Sequence, residues 1–256
     1  MSSRLDHVNP VTRLLLTLFA AIPILITRDW VSAPTMLTLE IITFIALGVS
    51  PAWMAKRMVP VLVVAPIAAI SMALYGRPGG HIFFDWGLIT ISERSLMMGL
   101  AVAIRICALA LAAIVMMGGV DPTRMADGLA QILRLPARVV LGTLAGIRMI
   151  GLFIDDWRTM RQARRARGLG ETGRVRRFAT MAFALLVFAI RRGTKLATSM
   201  EARGFTNEAA KARTWARPSK LGWPDAVAAL VTLAICAAAI GLAVWAGTFW
   251  FIGTES

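Results

Sequence analysis

Five long apolar segments constrain the fold of this chain more than any other feature of its sequence. They run roughly over Val11–Thr27, Trp30–Ser50, Met58–Tyr75, Ser95–Val120 and Asp225–Phe251. A helix needs about 20 mainly apolar residues to cross a hydrocarbon core of about 30 Å, so each segment is a candidate crossing. Charged residues are only 16% of the sequence, whereas soluble domains carry about 25%. The sequence therefore predicts an all-α integral membrane protein with about five transmembrane helices.

The positive charge is concentrated in one segment between the fourth and fifth apolar segments. Asp121–Pro224 holds 20 of the 28 Lys and Arg residues but only 7 of the 14 Asp and Glu residues. Cytoplasmic loops of membrane proteins concentrate Lys and Arg in this way, which predicts a cytoplasmic N-terminus and a multi-pass topology. We expect residues 1–120 to carry transmembrane helices 1–4, residues 121–224 to form a basic set of cytoplasmic helices, and residues 225–256 to form the last transmembrane helix and a short external tail.

Several functions lack the residues that they need. A basic protein can bind nucleic acid, but no aromatic or groove-reading module accompanies the charge, so we expect the lipid bilayer and no nucleic acid as partner. His7 and His81 are too few for a metal site, and Cys107 and Cys236 lie in apolar runs without metal-ligand spacing, so no metal is expected. The sequence around Gly193 lacks the pattern of a phosphate-binding loop, so we do not expect the chain to hydrolyse ATP alone.

Two charged residues, Glu40 and Arg105, interrupt the apolar segments. Each lies 10 residues from the predicted outer end of its span, which places both about 15 Å into the membrane. An unpaired charge is costly at that depth, so we predict an intramembrane polar pair, direct or through water. A polar clamp between two helices is favoured over a substrate or ion pathway, because a pathway usually needs more polar groups.

The basic segment contains apolar residues at helical spacing and strong signals for helix starts and ends. Asp121-Pro122-Thr123 is typical of a helix start, and Pro136 separates the first helix from the second. Two later helices are predicted to end in the same tripeptide, at a glycine suited to the left-handed turn after a helix. The two motifs, 36 residues apart, comprise Ala166, Arg167 and Gly168, and Ala202, Arg203 and Gly204.

With these motifs the sequence resembles the transmembrane (T) component of energy-coupling factor (ECF) transporters, the family of the membrane subunits of cobalt and biotin uptake systems. The similarity is widest over Asp121–Phe205 and includes Leu133-Arg134-Leu135-Pro136 and Arg148. The opening stretch Asp6–Arg13 is also similar to the way such subunits begin. One Ala-Arg-Gly tripeptide carries little information, but two in a basic segment between spans form a far more specific pattern.

The resemblance implies a coupling subunit of the prokaryotic plasma membrane that is not itself an enzyme. Two ATPases of the ABC type would bind ATP and Mg²⁺, while a separate small membrane subunit would capture a vitamin or metal ion. This chain would hold no cofactor. In the family the two motifs dock into grooves on the ATPases, which makes Arg167 and Arg203 the docking arginines here.

Two other functions stay open on the sequence alone. A membrane-embedded lipid-processing enzyme would use the basic segment to hold phosphate, and it would be active as a purified single chain. A stand-alone carrier would need more intramembrane polar groups than Glu40 and Arg105. The apolar faces of the basic segment, around Val139–Ile154 and Phe178–Ile190, would either receive the substrate-capturing partner or pack against each other.

Overall fold

The computed structural model describes residues 4–27, 30–76, 79–86, 89–168, 173–204, 215 and 217–247. The chain divides into two compact units, one formed by Met1–Val120 with Lys220–Ser256 and the other by Asp121–Ser219. The described residues are mainly α-helical, which confirms the predicted all-α membrane fold class. The predicted division into functional segments stays a prediction, and the predicted external tail, Gly253–Ser256, lies outside the described residues.

In the part of the first unit that the structure describes there are five α-helices, a 3-10 turn and a two-stranded antiparallel hairpin. Its elements are the turn Arg4–His7, α1 (Pro10–Ile26), α2 (Ser32–Ala46), α3 (Pro51–Tyr75), β1 (Ile82–Trp86), β2 (Ile89–Ser92), α4 (Glu93–Met117) and α8 (Trp223–Trp245).

Local signals in the sequence set where these helices begin. The side chain of Asn9 accepts the N–H of Val11, and the side chain of Ser92 accepts the N–H of Ser95, so each caps a helix with a group that satisfies a free backbone donor. Pro51 occupies the first turn of α3, where a missing N–H costs nothing. The helix therefore begins seven residues before the predicted start at Met58.

Two apolar clusters form the core of this unit. One joins the end of α2, the start of α3 and the end of α4 to Leu5 in the 3-10 turn. The other joins α1, α2, α4 and α8 and includes the buried Cys236. Helices α3 and α4 approach closely at Gly99, where a Cβ atom would lie 2.6 Å from the carbonyl oxygen of Ala69. A larger side chain at Gly99 would separate the two helices.

The outward faces of these helices are apolar, as expected of surfaces that contact lipid. Large side chains such as Leu62, Val63 and Ile67 of α3 are more than half exposed. Among the described residues, four helices are long and apolar enough to cross a membrane, namely α3, α4, α6 and α8, while α1 and α2 are shorter apolar helices. The sequence had placed α6 in the cytoplasmic segment, because the basic residues of its C-terminal half outweighed its apolar first half. The hairpin β1–β2 was not predicted.

The described residues of the second unit form three helices. They are α5 (Pro122–Gln131), α6 (Ala137–Ala166) and α7 (Arg174–Ala202). Asp121 caps α5 by accepting the N–H of Thr123 at 2.9 Å. Helices α5 and α6 pack through a small buried cluster of Ala126, Ala130, Val140 and Leu144, against which Trp215 lies.

Candidate functional site

The first Ala-Arg-Gly motif forms the C-terminal end of α6. The helix ends at Ala166, Arg167 is its C-cap residue, and Gly168 follows with a φ of 72°. The N–H of Arg167 donates to the carbonyl of Ala163 at 3.2 Å, and the N–H of Gly168 donates to that of Arg165 at 3.1 Å. Glycine adopts this left-handed conformation without the steric cost that a Cβ atom would bring. The chain therefore turns away at Gly168 and leaves Arg167 at the helix tip.

The second motif forms the C-terminal end of α7 with the same geometry. The helix ends at Ala202, Arg203 is the C-cap residue, and Gly204 has a φ of 74°. The N–H of Arg203 donates to the carbonyl of Ser199 at 3.3 Å, and the N–H of Gly204 donates to that of Glu201 at 3.0 Å. The matching dihedral angles and hydrogen bonds make the two ends equivalent, as the repeated tripeptide indicated.

All six motif residues are exposed. Apart from the chain neighbours, no atom of residues that the structure describes lies within 4 Å of the position that a Cβ atom would take on either Gly168 or Gly204. Within the described part of the chain, the guanidinium groups of Arg167 and Arg203 make no hydrogen bond or ion pair. An exposed guanidinium beside free helix carbonyls is well placed to form bidentate bonds with a carboxylate of a partner.

The two tips are far apart, which follows from covalent and helical geometry. Arg203 lies 29 residues beyond Arg174, the first residue of α7, so the helix carries it about 43 Å away. The seven residues from Arg167 to Arg174 can span at most about 25 Å. The two arginines are therefore separated by at least about 18 Å, as the difference between these lengths requires. The structure thus offers two separate contact points and does not bring the motifs into one site.

Helices α6 and α7 are held against each other at a crossing between the two tips. Asp156 accepts a hydrogen bond from Arg192 at 2.9 Å, forming an ion pair between the helices, and the Arg192 guanidinium lies 6.0 Å from the ring centroid of Phe153. The Trp157 and Phe178 rings meet edge to face at 5.6 Å. These contacts fix α7 relative to α6 over the middle of the hairpin, and a hydrogen bond from Arg164 to Thr180 at 2.9 Å joins the two helices nearer the end of α6.

The intramembrane pair predicted from the sequence is not seen as a direct contact. Glu40 is buried, and its Oε2 atom has no hydrogen-bond partner among the residues that the structure describes. Arg105 instead donates from Nη2 to the carbonyl oxygen of Thr27 at 2.6 Å, at the end of α1. No ion pair joins Glu40 and Arg105, both of which lie in the described part of the chain. Pairing through water stays a prediction.

The structure shows a buried polar contact that the sequence analysis missed. The Asp225 carboxylate, at the start of α8, accepts the N–H of Asn9 at 2.7 Å and that of Gly222 at 2.7 Å, while the Asn9 side chain donates to the carbonyl of Lys220 at 3.3 Å. The N-termini of α1 and α8, 216 residues apart in the sequence, are joined there. Both capping motifs are visible in the sequence, but nothing in it indicates that they meet.

Beside this contact, Arg13 of α1 is buried. Its guanidinium donates to the carbonyl of Leu5 and lies 3.5 Å from the Asp6 carboxylate. The 3-10 turn that precedes α1 is thereby held against the helix. The stretch Asp6–Arg13, noted above for its resemblance, thus has a structural role at the start of the fold.

These features define a multi-pass helical membrane protein that carries two matching arginine tips on a basic helical segment. The family model described as CbiQ, cobalt transport protein, matches residues 1–214, and the chain belongs to this family. Both motifs and residues 121–214 of the basic segment lie within the matched residues.

Relatives with the same printed name support the T-component resemblance. Each is called energy-coupling factor transporter transmembrane protein EcfT. The protein of Limosilactobacillus fermentum is 28% identical over 168 residues, which cover 59% of this chain and 63% of that protein. The protein of Brevibacillus brevis is 22% identical, in a match that covers 90% of this chain and 91% of that protein. The protein of Acidaminococcus fermentans is 24% identical, in a match that covers 91% of this chain and 90% of that protein. The match to the first relative thus spans less than two thirds of its length, whereas the other two matches are nearly complete.

Proposed function

We propose that this chain is the transmembrane coupling subunit of an ECF-type importer. It transmits the conformational change of ABC-type ATPases to a separate small membrane subunit that binds a vitamin or metal ion. The transporter names of the relatives support this class of protein, and they lend no support to a lipid-processing enzyme. ATP and Mg²⁺ would be bound by the ATPases, and this chain would hold no cofactor.

The observation that carries the proposal is the pair of equivalent arginine tips. Arg167 and Arg203 have the same backbone geometry and the same exposure. Their separation of at least about 18 Å is too large for one small ligand but suits one contact on each of two ATPase subunits. Two ATPases per coupling subunit are therefore expected. The tips would lie on the cytoplasmic side, which requires the cytoplasmic N-terminus that the charge distribution favours.

Charge reversal at the tips tests the proposal. We expect Arg167→Glu or Arg203→Glu to weaken ATPase association by about tenfold or more, because a carboxylate would replace a charge-assisted donor at a docking contact. The readouts are copurification of tagged ATPases and uptake in proteoliposomes. Arg165→Glu is the matched control, because Arg165 is exposed on the same helix, two residues before Arg167.

The control should retain ATPase binding, and all three variants should insert normally into the membrane. Wild-type copurification and uptake in both tip variants would end the docking assignment. Failure of the unmodified chain to copurify with any ABC-type ATPase would end the proposed function itself.

A further inference from the structure

A small open cavity lies between α6 and α7, and its lining includes neither Arg167 nor Arg203. It measures about 220 Å³ and is lined by Trp157, Arg161, Arg177, Phe178 and Met181. Met181 is buried and forms an apolar floor, while the Trp157 and Phe178 rings form one wall. Two guanidinium groups, one from each helix, thus border an apolar and aromatic recess. This combination suits a ligand that carries a negative charge next to an apolar part.

The electrostatics around the cavity are strongly positive. Arg164 reaches across the gap between the helices and donates to the hydroxyl of Thr180 at 2.9 Å, which adds a third guanidinium. The first turn of α7 has no acidic residue and is followed at once by Arg177. A helix N-terminus is the positive end of the helix dipole and favours acidic side chains, so cations there work against the stability of the isolated helix. An anionic ligand would offset that cost.

An exposed apolar stripe leads along α6 to the cavity. Ile147, Ile150 and Ile154 are 45%, 57% and 48% exposed, and their spacing places them on one face of the helix. Arg161 follows on the same face, seven residues after Ile154. The stripe from Ile147 to Arg161 is about 21 Å long, comparable to an extended acyl chain. Apolar residues ending in arginines are typical of helices that bind at a membrane interface.

We propose that this cavity binds the headgroup of an anionic phospholipid, with an acyl chain lying along the Ile147–Ile154 stripe. Charge complementarity favours this occupant, because the phosphate would lie between Arg161 and Arg177 while the aromatic rings contact the glycerol and upper acyl region. The apolar stripe favours a lipid over free phosphate, and it also favours a lipid over an acidic side chain of a protein. The site is independent of the docking tips, so it can fail without affecting the proposed function.

The test compares two double variants that remove the same charge. Arg161→Gln with Arg177→Gln changes the cavity, whereas Arg158→Gln with Arg191→Gln removes one exposed arginine from each helix outside the lining. The full chain, with any subunits that copurify, is delipidated in detergent. It is then titrated with phosphatidylglycerol, phosphatidylcholine or inorganic phosphate, and bound molecules are counted by native mass spectrometry.

We expect one tightly bound phosphatidylglycerol per chain, with weaker binding of phosphatidylcholine and no competition from millimolar phosphate. The cavity variant should bind phosphatidylglycerol about 30-fold more weakly, on the basis of two lost arginine contacts, and the control variant within about threefold of the unmodified chain.

Equal binding in both variants would overturn the proposal. Saturation by phosphate alone would overturn the lipid assignment. Loss of a protein subunit from the cavity variant, with lipid binding unchanged, would assign the cavity to a protein contact instead. Equal helicity and gel-filtration profiles confirm that both variants fold.

Discussion

The left-handed glycines at the two helix ends provide a sharp test of how the tips work. In Gly168→Ala or Gly204→Ala, a Cβ atom would be added to a residue with a φ of 72° or 74°. Among the described residues, apart from the glycine's chain neighbours, no atom lies within 4 Å of that position, so the added methyl group would clash with none of them. The whole cost is therefore local backbone strain, about 1–2 kcal/mol for an L-residue in the left-handed region.

That cost converts directly into the population of the docking conformation. A penalty of about 1–2 kcal/mol lowers the population of the observed helix-end geometry by roughly fivefold to thirtyfold relative to other conformations of the same helix end. If the ATPase binds only this geometry, its affinity falls by up to the same factor. The arginine itself is unchanged, so the loss would report on the direction in which the arginine projects and not on its charge.

The assay is a titration of detergent-solubilised complexes with labelled ATPase, compared with the matched control Gly193→Ala. Gly193 lies inside α7, has no atom within 4 Å of its Cβ position, and does not have a positive φ. Alanine there should stabilise the helix by about 0.5–1 kcal/mol and leave ATPase affinity unchanged. The same glycine-to-alanine change is thus predicted to lower ATPase affinity at Gly168 or Gly204 and to leave it unchanged at Gly193. Equal ATPase affinity in Gly168→Ala, Gly204→Ala and Gly193→Ala would refute the reasoning.

Two further predictions concern contacts away from the tips. Asp225→Ala leaves the backbone N–H groups of Asn9 and Gly222 without their acceptor, so we expect a destabilisation of about 2–4 kcal/mol. Asp225→Asn keeps one acceptor oxygen, so its destabilisation should be about half as large. Thermal unfolding in detergent measures both, and equal melting temperatures of the two variants would contradict the role assigned to the carboxylate. Asp156→Asn should lower stability by less than about 1 kcal/mol, because the ion pair with Arg192 is partly exposed. The same variant should still bind the ATPases but should show lower uptake. The double variant Asp156→Arg with Arg192→Asp, which exchanges the two charges, should restore uptake. If uptake in Asp156→Asn equals that of the unmodified chain, the ion pair has no role in coupling.

The helix ends that carry the motifs could be predicted from the sequence because their causes are local. A glycine that must adopt a positive φ and a proline at the first turn act through their own backbone, so Asp121, Gly168 and Gly204 marked their positions correctly. The start of α3 was missed for a related reason. Lys56 and Arg57 in its first turns made that part of the helix look like a loop, whereas Ser50-Pro51 was the signal that decided the boundary.

The contacts between distant residues could not be predicted in the same way. The expectation of a direct Glu40–Arg105 contact rested on equal depth, which fixes one coordinate of each residue but not the direction in which its side chain points. The long Arg105 side chain reaches the Thr27 carbonyl at the end of α1, so its guanidinium donates there and not to Glu40. The Asn9–Asp225 contact was missed because each residue acts as an ordinary helix cap in its own segment. Which caps meet is decided by the packing of α1 against α8.

The position of the α6–α7 crossing gives a physical reason why two arginine tips on one hairpin can couple motions. The contacts at Asp156 and Arg192 hold the helices together, and Arg203 extends 11 residues beyond Arg192, a lever of about 16 Å. A rotation of about 10° at the crossing would therefore move the Arg203 tip by about 3 Å, since a helix transmits the turn along its length. On α6 the hydrogen bond from Arg164 to Thr180 lies nearer the tip, so Arg167 extends only three residues, about 4.5 Å, beyond this contact with α7. The longer lever therefore lies on α7, so closure of two ATPases on the tips would move the Arg203 end more than the Arg167 end, and a crossing held only by side-chain contacts is where such a turn costs least.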